Sequence, residues 1–166
     1  GSKDKFAIEV GDYKEISKKG RLKFWIDGKS IGDYKKNHKL DYAMASLNRI
    51  TEISGDLYDE SFSEKSDKEI FTAFFLLEKE KENFTSEDYE LIKKYQKFTF
   101  FFWDQFDSVT CVTYIKNDFI HFLWTIVKDF VSSEVDYMKN FNSGKADILD
   151  FRKAVSDFLS FIKVRE

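Results

Sequence analysis

The residues best equipped for chemistry in this chain are few: His38, His121 and Cys111 are its only imidazoles and its only thiol. Cys111 and His121 fall on strands expected to be neighbours, so a thiolate–imidazole pair for nucleophilic catalysis is one reading. The plainer reading is a small apolar thiol and a packed imidazole within a core. A zinc site would need carboxylates to complete its ligand set. There is no H-E-x-x-H and no C-x-x-C, and the 7 glycines never form a G-x-G pair. Dinucleotide-binding and P-loop phosphate chemistry are therefore not indicated. With 30 Asp+Glu, carboxylate pairs occur throughout, and spacing singles out none as acid and base. This inventory disfavours catalysis and calls for no cofactor and no metal. The single Cys also rules out a disulfide within the chain, and a reducing compartment is the simplest context for it.

Charge is more informative than the catalytic inventory. The net charge of −3 conceals a division, because residues 1–50 hold 12 basic and 7 acidic side chains, whereas residues 51–90 hold 4 and 13. The bland reading is a solvated loop and solvated helix faces. The functional reading is an acidic surface that attracts and orients a basic protein. The basic residues of the first 50 alternate with acids rather than forming a stripe, so direct nucleic-acid binding is not expected.

These residues must be positioned by one domain spanning 1–166, given 166 residues with 42% apolar and 34% charged side chains. Gly1-Ser2 without an initiator Met reads as the remnant of a cleaved tag. The longest nearly apolar run, Phe119 to Val127, is far short of the ~20 residues of a membrane helix. Asn83-Phe84-Thr85 fits a glycosylation acceptor pattern, which arises often by chance. The chain holds 19 Phe and no Pro, and 23 Lys against four Arg, which reads as the codon bias of an AT-rich genome. Without proline, refolding is expected to lack the phase of tens of seconds set by prolyl isomerisation. A slow phase accelerated by a prolyl isomerase in a double-jump experiment would contradict this.

Phe6, Ile8 and Val10 alternate with Ala7, Glu9 and Gly11 in a strand over Lys5 to Tyr13, and Leu22, Phe24 and Ile26 do so in Arg21 to Asp27. Asp27-Gly28 then turns the chain into a short return strand, Lys29 to Tyr34. Ala43, Met44, Leu47 and Ile50 give a helix over Leu40 to Ser54, with Gly55 as its stop. Asp56 to Glu69 reads as an acidic loop. Ser66 and Glu69 have capping-box spacing before Ile70, Phe71, Phe74 and Phe75, with a strand over Phe71 to Leu77 as runner-up. Thr85 to Lys97 reads as a helix, acidic in its first turn and basic in its last, with Tyr89, Ile92 and Tyr95 facing the core. Phe98 to Trp103, Val109 to Lys116 and Phe119 to Val127 read as strands, the last two joined at Asn117-Asp118. A helix over about Lys145 to Val164 closes the chain on Ile148, Phe151, Val155, Phe158, Leu159 and Ile162. The expected class is α+β, a mainly antiparallel sheet of about five to six strands packed with three to four α-helices.

The run Trp25-Ile26-Asp27-Gly28, then Ile31-Gly32-Asp33-Tyr34, then Leu47-Asn48-Arg49-Ile50 resembles the hairpin and first helix of a bacterial immunity protein family. Lys5-Phe6-Ala7-Ile8 looks like that family's first strand. The likeness continues in outline through Phe106-Asp107 and on to Leu123-Trp124. Ser108-Val109 departs from the aromatic that often follows, and Phe130 to Asn142 looks like an insertion. The resemblance implies a cytoplasmic antidote of a contact-dependent growth inhibition (CDI) or polymorphic-toxin system, a monomer or weak dimer that binds the toxin's C-terminal domain without chemistry of its own. Many such toxins are nucleases with basic clefts, which gives the acidic segment a rationale. The implied toxin contacts are Asp56, Asp59, Glu60, Glu64 and Asp67, with Trp25 and Trp103 as aromatic anchors and Asp104 and Asp107 beside the latter. Trp25 and Trp103 are alternatively covered by a helix. The other functional readings are a small enzyme built on Cys111 or His121, and an adaptor or regulatory domain.

Overall fold

The computed structural model describes residues 1–32, 34–79, 85–100, 109–126, 138 and 140–163. Two antiparallel sheets of four strands and four α-helices make up this part of the chain, in keeping with the expected α+β class. In the first sheet β1 (Phe6–Lys14) pairs with β2 (Lys19–Ile26), whose other edge is shared by β3 (Lys29–Ile31) and β4 (His38–Lys39). The second sheet runs β5 (Thr99–Phe100), β6 (Val109–Lys116), β7 (Phe119–Ile126) and β8 (Phe141–Asp147), in that order. Asp27-Gly28 and Asn117-Asp118 both have positive φ at the two central residues, 51° and 74° in the first and 51° and 63° in the second. This is the turn geometry that matches the twist of a tight hairpin.

The second sheet is the central layer. Cys111 to Tyr114 of β6 and Phe122 to Thr125 of β7 are buried without alternation, so both faces of this sheet are covered. On one face Phe122 stacks on Phe6 of β1 at 5.6 Å and meets Phe151 of the last helix at 5.8 Å. On the other, Tyr114 meets Phe62 at 5.5 Å and Phe141 meets Phe71 at 5.1 Å. The helices are α1 (Asp41–Glu52), α2 (Asp67–Lys79), α3 (Ser86–Gln96) and α4 (Ile148–Lys163). Helix α2 supersedes the alternative strand, and its capping box is present. Ser66 Oγ accepts from the Glu69 amide at 3.3 Å, while Glu69 Oε2 accepts from the Ser66 amide at 2.9 Å.

Several expectations are corrected. The strands divide between two sheets. The return strand ends at Ile31, before Tyr34. Helix α1 ends at Glu52, and Gly55 lies in a following turn of 3-10 helix, Ser54–Asp56. Tyr89 is 61% exposed and not in the core, while Tyr95 packs on it.

The last helix begins at Ile148, because Lys145 belongs to β8 and Asp147 caps the helix, its Oδ1 accepting from the amides of Leu149 at 2.8 Å and Asp150 at 3.3 Å. The sequence Asn142-Ser143-Gly144-Lys145 has low strand propensity, yet Gly144 suits its place in β8. A Cβ there would lie 3.0 Å from Ile26 Cγ2 and 3.2 Å from Ile26 O, a crowding that glycine avoids where β8 passes close to β2.

Candidate interaction surface

The acidic segment between α1 and α2 is pinned at several points. Leu57 and Phe62 are buried in the core, and the Ile115 amide donates to Leu57 O at 2.6 Å. Lys116 Nζ donates to Ser63 O at 2.5 Å and to Phe62 O at 3.3 Å. Asp59 caps a turn of 3-10 helix, Glu60–Phe62, accepting from the Ser61 amide at 3.0 Å, and its other oxygen pairs with Lys94 of α3 at 2.8 Å. Asp67 opens α2 and accepts from the Tyr114 hydroxyl at 2.6 Å, with His121 Nδ1 3.3 Å away. Of the five acids singled out, Asp59 and Asp67 thus face inward to partners of this chain. Asp56, Glu60 and Glu64 are exposed. Between them Tyr58 is 54% exposed, a residue the sequence analysis did not single out. The available signal was Leu57 and Phe62: two apolar plugs in a polar run fix which of the intervening side chains point outward.

Both inward acids are held ionised. Burial pushes the Asp59 carboxyl up, but bonds from Lys94 and Ser61 outweigh it and hold it at about 2. Burial acts the same way on Asp67, and hydrogen bonds from His121, Tyr114 and Ser143 bring it down to about 2. A carboxyl whose folded value lies below the ordinary 3.8 contributes stability above about pH 4, and that contribution disappears as pH falls toward 2. Asp67→Asn is expected to lower the unfolding free energy by about 1–2 kcal/mol at pH 7, after allowance for its partial exposure, and to flatten its decline below pH 4. Urea denaturation at pH 7, 4 and 3 measures both, and an unchanged pH dependence would refute the assignment.

Trp25 is half-buried on the outer face of the first sheet, where its indole N–H donates to Glu9 Oε2 at 2.7 Å. Trp103, Asp104 and Asp107 lie outside the described residues. Cys111 and His121 do not form a pair. Cys111 is opposite Trp124 and His121 is opposite Tyr114, so the two side chains project from opposite faces of the second sheet. Burial pushes the Cys111 thiol up to about 12, the reverse of what a nucleophile needs. Among the described residues no group of three His, Cys, Asp or Glu side chains could hold a metal ion. No described helix is long and apolar enough to cross a membrane.

Residues 1–161 match the sequence model of the family Immunity protein 42. The chain belongs to that family. Immunity protein 42 membership makes it an antitoxin whose partner is a cognate toxin protein, and points to inhibition by binding rather than by catalysis. Its fold is that of CdiI from Burkholderia dolosa AUO158, whose crystal structure superposes with a TM-score of 0.65 over 96% of this chain and 97% of that one, at 13% identity. No curated protein matches the sequence.

Proposed function

We propose that this Immunity protein 42 chain is a cytoplasmic antidote, working as a monomer or weak dimer, to the C-terminal toxin domain of a CDI or polymorphic-toxin effector. The acidic segment is its docking surface. The observation that carries this reading is the segment's construction: exposed Asp56, Glu60 and Glu64 sit on a backbone fixed by Leu57, Phe62, Asp59 and Asp67. A surface already ordered before binding loses little conformational entropy in the complex. Carboxylates fixed outward in this way suit a basic cleft, such as one a nuclease presents to phosphates, and Tyr58 between them supplies apolar area.

The test is calorimetry of the full chain with the toxin domain encoded immediately upstream, together with growth rescue of cells expressing that domain. A 1:1 complex tighter than micromolar is expected, with an association rate that falls as salt rises. No binding at micromolar concentrations together with no rescue would reject the proposal.

A further inference from the structure

The first sheet has one apolar face and one face that the core does not use. Phe6, Ile8 and Val10 with Leu22, Phe24 and Ile26 point inward, so Glu9 and Gly11 share the outer face with Arg21, Lys23 and Trp25. On that outer face cations and rings alternate in a row. Lys3 Nζ lies 4.4 Å from the Trp25 ring, and Lys23 Nζ lies 5.3 Å from Trp25 and 4.9 Å from Tyr34. Arg21 continues the row, 4.9 Å beyond over Tyr34. Tyr34 can lie flat across β1 because position 11 is glycine: a Cβ there would come within 2.5 Å of the Tyr34 hydroxyl. Two carboxylates brace the row from β1, Glu9 bound to Lys3 at 2.8 Å and Asp12 bound to Arg21 at 2.9 Å. Among the described residues, every one of these contacts is made by residues 3–34, so the row covers Trp25 in place of the helix that sequence reasoning offered.

Residues 1–39, which contain this whole sheet, hold 11 basic and 6 acidic side chains, the reverse of the acidic segment's balance. Of these cations Lys29 turns inward to Ser143 O of β8 at 2.6 Å and Lys5 pairs with Asp150 of α4 at 2.8 Å, while the others lie on the outer face, the edges and the turns. Fixed rings flanked by cations suit a partner that brings carboxylates against a planar apolar surface.

We propose that the outer face of the first sheet is a second toxin-binding surface, and that it receives an acidic segment of the toxin domain, with Trp25 and Tyr34 as apolar anchors and Lys3, Lys23 and Arg21 as counter-charges. This rests on the antitoxin reading above and adds a contact of opposite sign to the acidic one. A partner docked on both must present a basic and an acidic patch together, which fixes orientation and excludes partners carrying only one of them.

The experiment is calorimetry of the toxin domain with wild type and with the Lys3→Glu/Lys23→Glu double variant, thermal melts confirming the fold. Affinity about tenfold weaker or more is expected for the variant. As a measurement that needs no variant, reductive methylation of wild type in the complex should protect Lys3 and Lys23 while Lys153 on α4 stays reactive. Wild-type binding with a variant loss under about threefold, or with Lys3 and Lys23 still fully reactive, overturns the second surface and leaves the antitoxin reading intact. Absence of binding by wild type would instead reject that reading itself.

Discussion

Replacing Phe62 with alanine is expected to lower the unfolding free energy by about 3–5 kcal/mol, read from the midpoint of a urea titration. The side chain is 4% exposed and sits among four rings, with centroid distances of 5.2 Å to Phe98, 5.5 Å to Tyr114, 6.0 Å to Tyr95 and 6.2 Å to Phe74. Those rings come from the turn before β5 and from β6, α3 and α2, so no single element can move in to fill the space. The cavity term therefore adds to the lost transfer energy. A domain of ordinary stability, ~5–15 kcal/mol, would be left near the threshold of folding. A loss below about 1 kcal/mol would mean that the segment is not pinned as described.

Phe62 would couple stability to binding at the proposed docking surface, because its carbonyl and that of Ser63 also accept from Lys116. Losing the ring would free the turn that carries Glu60 and Glu64. In molecules that remain folded, amide exchange should quicken at residues 58–64 before it quickens in β6 and β7. Tyr58→Ala offers the contrast: that side chain is exposed, so stability should stay within about 0.5 kcal/mol while toxin binding weakens.

Local patterns in the sequence predict most of the elements correctly, and long-range packing accounts for the exceptions. The Phe6, Leu22 and Ile120 strands, both tight turns and the Ser66 capping box follow from alternation, φ preference and spacing, all of which act within a few residues. Strand β8 does not, since its reason lies in Ile26, over a hundred residues away, against which Gly144 fits. Tyr89 has helical spacing for the core, but α3 rests there on Tyr95 against Phe62 and Phe74, leaving Tyr89 in solvent. The acidic character of the candidate surface is plain from composition. Which acids point outward is not, because Asp59 and Asp67 are claimed by Lys94 of α3 and by Tyr114 and His121 of the second sheet. Trp25 stands out by its place in an alternating strand, but the cation–ring row around it depends on Tyr34 folding back over Gly11, which no local pattern encodes.

Reversing the outward charges, with Asp56→Lys, Glu60→Lys and Glu64→Lys together, is expected to weaken toxin binding by about 100-fold at low salt. All three side chains are exposed, so thermal stability should hardly change, and the loss is one of recognition. Most of it should appear in the association rate, because these charges act before contact is made. Raising the salt should therefore narrow the gap between variant and wild type, with wild type slowing toward the variant. The neutral triple Asp56→Asn, Glu60→Gln and Glu64→Gln should fall between the two, since it removes attraction without adding repulsion. Stopped-flow association at two ionic strengths separates this from a merely steric effect, which would act on dissociation and persist at high salt. If the reversed variant associates as fast as wild type at low salt, the acidic segment is not the docking surface. In cells the reversed protein should lose its protection first where toxin expression is highest, because a slow antidote must compete with the toxin's own encounter with its target.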